Sequence, residues 1–385
     1  MSAPEVACWG ALAVLLYVYL GYPLLLAVLG HLRRAQPPAA GDFQPTVTMV
    51  VAAWNEEEVI AEKIENTLAQ KYPADRLDLI VVSDGSTDAT DQIVERCVER
   101  TGRVRLLHTA GRQGKSAALN LGVPAATGEI VVLTDANAIF QADAIARLVR
   151  PFSDRKVGAV SGQLWYRQEK GAGEGESVYW RYEQMVKRHE SVLHSLIGAN
   201  GSIYAIRREL FLPVHPRDVN DFRIPYEVLL QGYSVVLEPA AVSFEETPGR
   251  LWDEYRRKVR IMARAIPMML ALVGPTLVRR RLFVLWQLVS HKVLREVQGF
   301  LFLAMLGGAA WGAMTGQLWL AVFLGAQLAL YLLGGLGWAW PGAGRWRALR
   351  LAAHFDMIVL ASLAALWLWV TGRVKATWTP ARPAG

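Results

Sequence analysis

Two uncharged apolar blocks limit what this chain can fold into. Val6 to Gly30 runs for 25 residues without a charged side chain, and Val297 to Gly344 runs for 48. Crossing the hydrocarbon core of a bilayer takes about 20 apolar residues. The first block is therefore long enough for one crossing and the second for two, hinged near Thr315-Gly316-Gln317. A later stretch, Leu351 to Val370, holds only His354 and Asp356 as ionisable groups and is a further candidate. From Arg33 to about Arg264 the composition is that of a globular domain of roughly 230 residues, enough for a full core. The first block reads as an anchor. Its apolar run exceeds that of a signal peptide, no basic region precedes it, and no small-x-small cleavage site stands before Arg33-Arg34.

The net charge of +7 is placed unevenly. Arg33, Arg34, Arg279, Arg280, Arg281, Lys292, Arg295, Arg345, Arg347 and Arg350 all flank apolar segments. That pattern fits cytoplasmic flanks and contact with anionic lipid. No basic stripe interleaved with aromatics is present, so nucleic acid is not an expected partner. Cys8 and Cys97, the two cysteines, exclude a disulfide framework and a cysteine zinc site. The same charges predict topology: N-terminus outside, globular domain cytosolic, and a return to the cytoplasm at Arg345 to Arg350. A final crossing would put Arg373, Lys375 and Arg382 outside, against the rule. Either the last segment does not fully cross, or residues 282–296 contribute another crossing. Residues 262–296 have mixed apolar and basic faces, interrupted by Pro267 and Pro275, and read as amphipathic interfacial helices. The expected organisation is an N-terminal transmembrane helix (1–32), a cytosolic domain (33–261), interfacial helices (262–296), C-terminal transmembrane helices (297–371) and a tail (372–385).

Within the globular stretch, apolar β-type runs alternate with helical spacing. Thr46 to Ala53, Leu77 to Ser83, Val104 to His108 and Glu129 to Leu133 read as strands; Glu57 to Gln70, Asp88 to Arg100 and Ser116 to Ala126 read as helices. This alternation predicts an α/β fold with a mostly parallel sheet and helices on both faces. Ligands of such sheets bind at the carboxyl ends of the strands. Asp84 follows the second strand and Asp135 the fourth. Alone, Asp84-Gly85 is also an ordinary surface turn. Gly111-Arg112-Gln113-Gly114-Lys115-Ser116 is a glycine-bearing loop entering a helix. It lacks P-loop spacing, yet N–H groups at a helix start together with Lys115 suit a diphosphate. Asp135 and Asn137, at i and i+2, are oxygen ligands suited to Mg²⁺ or Mn²⁺ with phosphate and water completing the shell.

Taken together these segments resemble the family-2 glycosyltransferases, inverting enzymes of GT-A fold, over about Thr46 to Arg260. The membrane layout resembles their polysaccharide-synthase branch. Ala52-Ala53-Trp54-Asn55-Glu56 is similar to the family's Pro-x-Tyr-Asn-Glu nucleobase segment, with Ala52 and Trp54 substituting proline and tyrosine. Ser83-Asp84-Gly85-Ser86 resembles its Asp-Asp-Gly-Ser, which places Asp84 at the base-binding carboxylate. Gly114-Lys115-Ser116-Ala117-Ala118-Leu119-Asn120 matches its Gly-Lys-x-x-Ala-Leu-Asn segment, and Asp135-Ala136-Asn137 its Asp-x-Asp metal motif. The resemblance further implies acceptor contacts at Asn200, Gly201 and Ser202 and a general base at Asp221, with Asn220 where the family has an acidic residue. Arg256-Arg257-Lys258-Val259-Arg260-Ile261 stands in the place of Gln-x-x-Arg-Trp. Arg257 and Arg260 are implied diphosphate ligands, and Ile261 replaces the stacking tryptophan of processive synthases.

The implied activity is transfer of a sugar from a nucleotide-diphosphate sugar, most readily a UDP-sugar, to a polysaccharide or glycolipid at the cytoplasmic face of a bacterial inner membrane. A divalent Mg or Mn ion is the implied cofactor. Partners are the nucleotide sugar, a glycan or lipid acceptor and membrane lipids; a partner subunit is left open. An alternative keeps the chemistry and changes the acceptor, adding one sugar to a polyprenyl phosphate or diacylglycerol. A nucleotide-binding membrane scaffold without turnover is the reading from another class. A transporter fits poorly, because the apolar segments carry almost no charge to mark a pathway.

Overall fold

The computed structural model describes residues 2–31, 43–167, 174–246, 251–340 and 346–374. Arg33, Arg34, Arg345, Lys375 and Arg382, used above for topology, lie outside the described residues. Eight strands form one sheet in the order β3-β2-β1-β4-β7-β6-β8-β5. β1 (Val47–Ala53), β2 (Leu77–Ser83), β3 (Val104–His108) and β4 (Ile130–Asp135) are mutually parallel. β7 (Tyr204–Arg207) runs antiparallel to β4 and to β6 (Val157–Arg167). β8 (Ser234–Glu246) pairs parallel with β6, and the short β5 (Ile139–Phe140) closes the edge antiparallel to β8. The expected α/β sheet is present, and its second half is mixed.

The parallel strands are apolar throughout because both faces are covered. One core places Val50, Ile80, Val131 and Leu133 against helix Lys115–Ala125 and, further along, helix Asn220–Leu230. The other places Met49, Val51, Leu79 and Val132 against helices Ile60–Leu68 and Thr90–Thr101. Register decides where chemistry can gather. Ala52 pairs with Asp135 and Ala53 with Ser83, so β1, β2 and β4 end level. Chain order reverses at β1, with β2 on one side and β4 on the other, and this switch point is where open α/β sheets bind ligands. The first helix starts at Ile60 rather than at Glu57. Residues 55–57 are tied instead to the 86–90 turn: the Thr87 N–H donates to Asn55 Oδ1 at 2.8 Å and the Glu57 N–H to Asp88 Oδ2 at 3.1 Å.

By length and composition, Ala3–His31, Leu251–Val278, Leu318–Ala339 and Arg347–Val370 suffice to cross a membrane. Leu282–Glu296 and Gln298–Met314, bent by 62°, form one further candidate pair. Packing separates these helices. Gly308 lies against the Cys8 and Pro4 backbone, where an added Cβ would sit 2.9 Å from the Cys8 nitrogen. Such small residues let apolar helices approach closely. Trp9 stacks on Trp319 with ring centroids 5.0 Å apart, which brings the third helix beside the first two.

Leu251–Val278 behaves otherwise. Ala265, Met268, Met269 and Leu272 belong to the core of the sheet domain, and Tyr226 bonds Thr276 at 2.8 Å. This helix therefore packs on the domain from Ala265 to Thr276. The expected interruption at Pro267 and Pro275 is not found: the helix runs through both. Each proline deletes one backbone donor at a cost of about 3 kcal/mol, and nine buried side chains on the helix, seven of them between Met262 and Leu272, offset that cost. Arg347–Val370 packs beside it, with Ala361, Ala365 and Leu366 against Met262, Ala263 and Ile266.

Candidate functional site

The level strand ends converge on a half-open cleft. Asp84 is 4% exposed, and its carboxylate accepts N–H bonds from Gln113 (2.8 Å) and Gly114 (2.7 Å) and a hydroxyl bond from Thr109 (3.1 Å). Bonds of this kind to a charged group contribute about 1.5–3 kcal/mol each, so Asp84 pins the glycine-bearing loop to the end of β2. Two glycines permit that arrangement. Gly114 has φ of +97° at the start of helix Lys115–Ala125, and Gly85 has φ of +74° with the Arg112 nitrogen 3.0 Å from any added Cβ. The resemblance implies a base-binding carboxylate at Asp84; its oxygens are engaged within the protein.

Trp54 holds the place expected for base stacking, and the Arg112 guanidinium lies 3.5 Å over its ring. Ala52 is half-buried and packs against the core. Glu56 is 6% exposed, its N–H donates to Thr90 Oγ1 at 2.8 Å, and its carbonyl starts the following turn. Ala52 and Glu56 thus shape the β1 terminus.

Lys115 Nζ donates to Asp135 Oδ1 at 2.5 Å. Burial works against the ammonium charge, and Asp135 outweighs it, holding Lys115 above the ordinary lysine range. Behind them lies Lys63, which sequence reasoning does not single out. It is fully buried; its Nζ donates to the Ala138 carbonyl at 2.5 Å and Thr134 Oγ1 at 3.0 Å, and it sits 4.1 Å from the Phe140 ring centre. It spans the Asp135-Ala136-Asn137 turn from beneath. Burial pushes its ammonium down to about 7. A signal exists in the sequence: Ile60, Lys63, Ile64 and Thr67 form the buried stripe of their helix, and a lysine on such a stripe requires a purpose. Glu245, near the end of β8, is also missed by sequence reasoning. Burial and Asp135 raise it to about 7 against the pull of Arg257, and its Oε1 is buried without a partner. Replacing Lys63 by Met keeps volume and removes both bonds. The expected result is a Mn²⁺ affinity about tenfold weaker, as when a metal ligand loses its support, read by electron paramagnetic resonance with little change in melting temperature.

Asp221 occupies the first turn of helix Asn220–Leu230. Burial raises its pKa above the usual aspartate range, with Asp135 reinforcing and Lys115 opposing the rise. Gly201 leaves room for it: a Cβ there would lie 3.0 Å from Asp221 Oδ2. A cavity of about 140 Å³ opens beside Asp221, walled by Lys187, Phe222, Ile261 and Met269.

Asn200 and Ser202, expected to meet an acceptor, are spent inside the protein. Asn200 accepts from Lys187 Nζ at 2.9 Å and donates to the Gly162 carbonyl at 2.6 Å. Ser202 accepts from Ser243 Oγ at 3.0 Å and, through its carbonyl, from Thr134 at 2.6 Å. They fix the floor that carries Gly201. Arg257 lies within electrostatic reach of Glu245, and Arg260 within reach of Asp135. Helix Leu251–Val278 thus brings both arginines to the Lys115–Asp135 side.

Among the described residues, no group of three or more His, Cys, Asp and Glu gathers to enclose a metal ion. Asp135 and Asn137 nonetheless fit a divalent cation that shares its shell with a phosphate ligand. Asp135 is one-third exposed, Asn137 is exposed, both offer oxygen, and Lys115 engages only Oδ1 of Asp135.

Comparison with known proteins places the chain by similarity of sequence and fold. Residues 48–212 match the family model described as glycosyl transferase family 2. The poly-β-1,6-N-acetyl-D-glucosamine synthase of Staphylococcus aureus strain COL is 26% identical over 221 residues, 56% of this chain and 53% of that protein. The β-monoglucosyldiacylglycerol synthase of Nostoc sp. PCC 7120 is 31% identical over 188 residues, 48% of this chain and 39% of that protein. The chain spans about half the length of the first of these relatives, and less of the second. A solved structure of the mannosyltransferase PcManGT from Pyrobaculum calidifontis, in complex with GDP-mannose and Mn²⁺, superposes with a TM-score of 0.70 at 24% identity. The superposition covers 94% of this chain and 98% of that one, apolar helices included.

Proposed function

From the premise that residues 48–212 form a glycosyl transferase family 2 domain in a chain of GT-A fold with apolar helices at both ends, we propose that the protein is an inverting glycosyltransferase. It moves a sugar from a nucleotide-diphosphate sugar to a polysaccharide or glycolipid acceptor at the cytoplasmic face of the membrane. The observation that carries this reading is the placement of Asp221: a carboxylate with raised pKa, beside a cavity, within electrostatic reach of the Lys115–Asp135 pair.

The residues divide the work by charge. Asp221 takes the proton from the acceptor hydroxyl as that oxygen attacks the sugar carbon from the face opposite the nucleotide, which inverts the centre. Lys115, Arg257 and Arg260 stabilise the departing diphosphate. Asp135 and Asn137 would hold a divalent Mg or Mn ion, which would supply Lewis-acid neutralisation of the same charge. Lys63 keeps the turn bearing both ligands in place. Trp54, with Arg112 over its ring, offers the aromatic surface at the nucleobase end.

Packing supports a membrane placement with the domain on the positive side. Helices 3–31, 298–314 and 318–339 pack as a crossing bundle. Leu251–Val278 lies against the domain, as an interfacial helix does, and Arg347–Val370 joins it to the bundle: Ser362 Oγ accepts the Gly299 N–H at 3.1 Å and the Trp338 ring N–H donates to the Ala353 carbonyl at 3.0 Å. Ile261 and Met269 on the cavity wall favour a second acceptor reading, a lipid such as a polyprenyl phosphate or diacylglycerol. Protein in nanodiscs with Mn²⁺ or Mg²⁺, offered UDP- and GDP-sugars in turn, should release nucleotide diphosphate with one donor. Organic extraction of the product then separates lipid from polymer. No release from any donor, with glycan and lipid acceptors both supplied, would defeat the proposal.

A further inference from the structure

A second cavity, of about 340 Å³, is lined by Asp218, next in the chain to Val219 on the wall of the Asp221 cavity. Three parts build it: the 215–223 segment, helix Leu251–Val278, and the C-terminal end of helix Arg347–Val370. Part of the lining is cationic, with Arg217, Arg223 and Arg264 and the imidazole of His215, against a single acid, Asp218. Pro267, Met268, Ala271 and Trp369 give the lining an apolar part.

The charges are not all spoken for. Arg223 is paired with Glu227 at 2.6 Å and reaches Asp218 at 3.9 Å. Arg264 donates instead to carbonyls, those of Arg217 at 2.8 Å, Asp218 at 2.7 Å and Pro216 at 3.3 Å. Carbonyls take its N–H groups, while Asp221 and Asp218 act on its charge from within electrostatic reach. Arg217 is exposed. His215 Nδ1 accepts the Arg217 N–H at 3.1 Å, which leaves its Nε2 as the proton-bearing nitrogen. The cavity is therefore an anion site with an apolar side.

Its surroundings state where the anion comes from. The two helices that form it turn Leu270, Leu277, Val278, Leu360, Trp367 and Val370 outward, all at least 42% exposed. Trp369 sits at a helix end, where tryptophan marks the headgroup level of a bilayer. A free phosphate uses only the arginines; a lipid with an anionic headgroup uses both parts of the lining. We propose that this cavity binds the headgroup of an anionic phospholipid, with Arg217 and Arg264 on the phosphate and Trp369 and Met268 along the first carbons of the chains. The site rests on the membrane placement proposed above and not on the transfer chemistry. It also touches that chemistry: the Asp218 carbonyl is held by Arg264 and by Ser116 Oγ at 2.9 Å, and Asp221 follows three residues later. A bound headgroup braces the segment that presents Asp221.

The test is thermal unfolding of the whole protein in detergent micelles, titrated separately with dioctanoyl phosphatidylglycerol, dioctanoyl phosphatidylcholine and inorganic phosphate. Phosphatidylglycerol should raise the melting temperature saturably, by about 5 °C, while the other two move it by about 1 °C or less. Arg217→Glu should abolish the shift and keep the lipid-free melting temperature. Ala271→Trp, which fills the apolar part, should abolish it by another route. An equal response to phosphatidylcholine, the same saturable shift with phosphate alone, or a shift retained in both variants would overturn the assignment. None of these readings needs a nucleotide sugar, so loss of the transferase reading and loss of this one are separate results.

Discussion

Asp221→Asn should abolish sugar transfer while leaving a folded protein that still binds its nucleotide sugar. The expected fall in kcat is about a thousandfold, within the range for removal of a general base. Asparagine keeps the shape that fits beneath Gly201, where a Cβ would already meet the carboxylate at 3.0 Å. It also relieves the burial that raises the Asp221 pKa, so the melting temperature should hold or rise. The pH profile of the unaltered enzyme provides a second reading with a definite sign. Only the deprotonated carboxylate can take a proton. Because burial and Asp135 raise its pKa and Lys115 only partly opposes them, kcat/KM should climb with rising pH through a midpoint above the usual aspartate value of about 3.9. Asp221→Asn should flatten that acid limb. A variant retaining a tenth of the activity with the limb intact would remove Asp221 from the role.

Asp135→Asn should be nearly as severe for a different reason. The substitution removes the negative charge that Lys115 meets at 2.5 Å and that offsets the cost of burying that lysine. It also removes the carboxylate of the pair that fits a divalent ion. Mn²⁺ binding in the presence of nucleoside diphosphate should weaken by at least about a hundredfold, in line with the strength of charge-assisted bonds in a partly buried site. Transfer should fall by about a thousandfold or more at fixed metal. Isothermal titration with Mn²⁺ and nucleoside diphosphate separates the two effects, and excess Mn²⁺ should recover part of the activity. Unchanged metal affinity would show that Asp135 serves only to anchor Lys115.

Much of the molecule is readable without coordinates because its signals are local and strong. Uninterrupted apolar runs bounded by glycine and acidic turns declare the parallel strands, and the long uncharged blocks declare the apolar helices. Loop residues at strand ends carry the motifs. Partners are not readable. Nothing in Asp84-Gly85-Ser86 says that the aspartate holds residues 113 and 114, and nothing in Asn200-Gly201-Ser202 says that the glycine lies against Asp221. The prolines at 267 and 275 promise a break that packing overrides.

The sequence by itself determined the alternation of strands and helices, the carboxylates at the ends of the second and fourth strands, and the separation of a globular stretch from its apolar flanks. These follow from the order of side chains along a few turns or strand residues. Only the tertiary structure decided which groups meet. Lys63 reaches the Asp135 turn across 71 residues of chain, Asp221 lies beside Gly201, and one helix long enough to cross a bilayer, Leu251–Val278, packs on the sheet domain. The reason is physical: strand and helix periodicity is set by neighbours in the chain, whereas register, burial and charge pairing are set by surfaces far apart in sequence that pack only once.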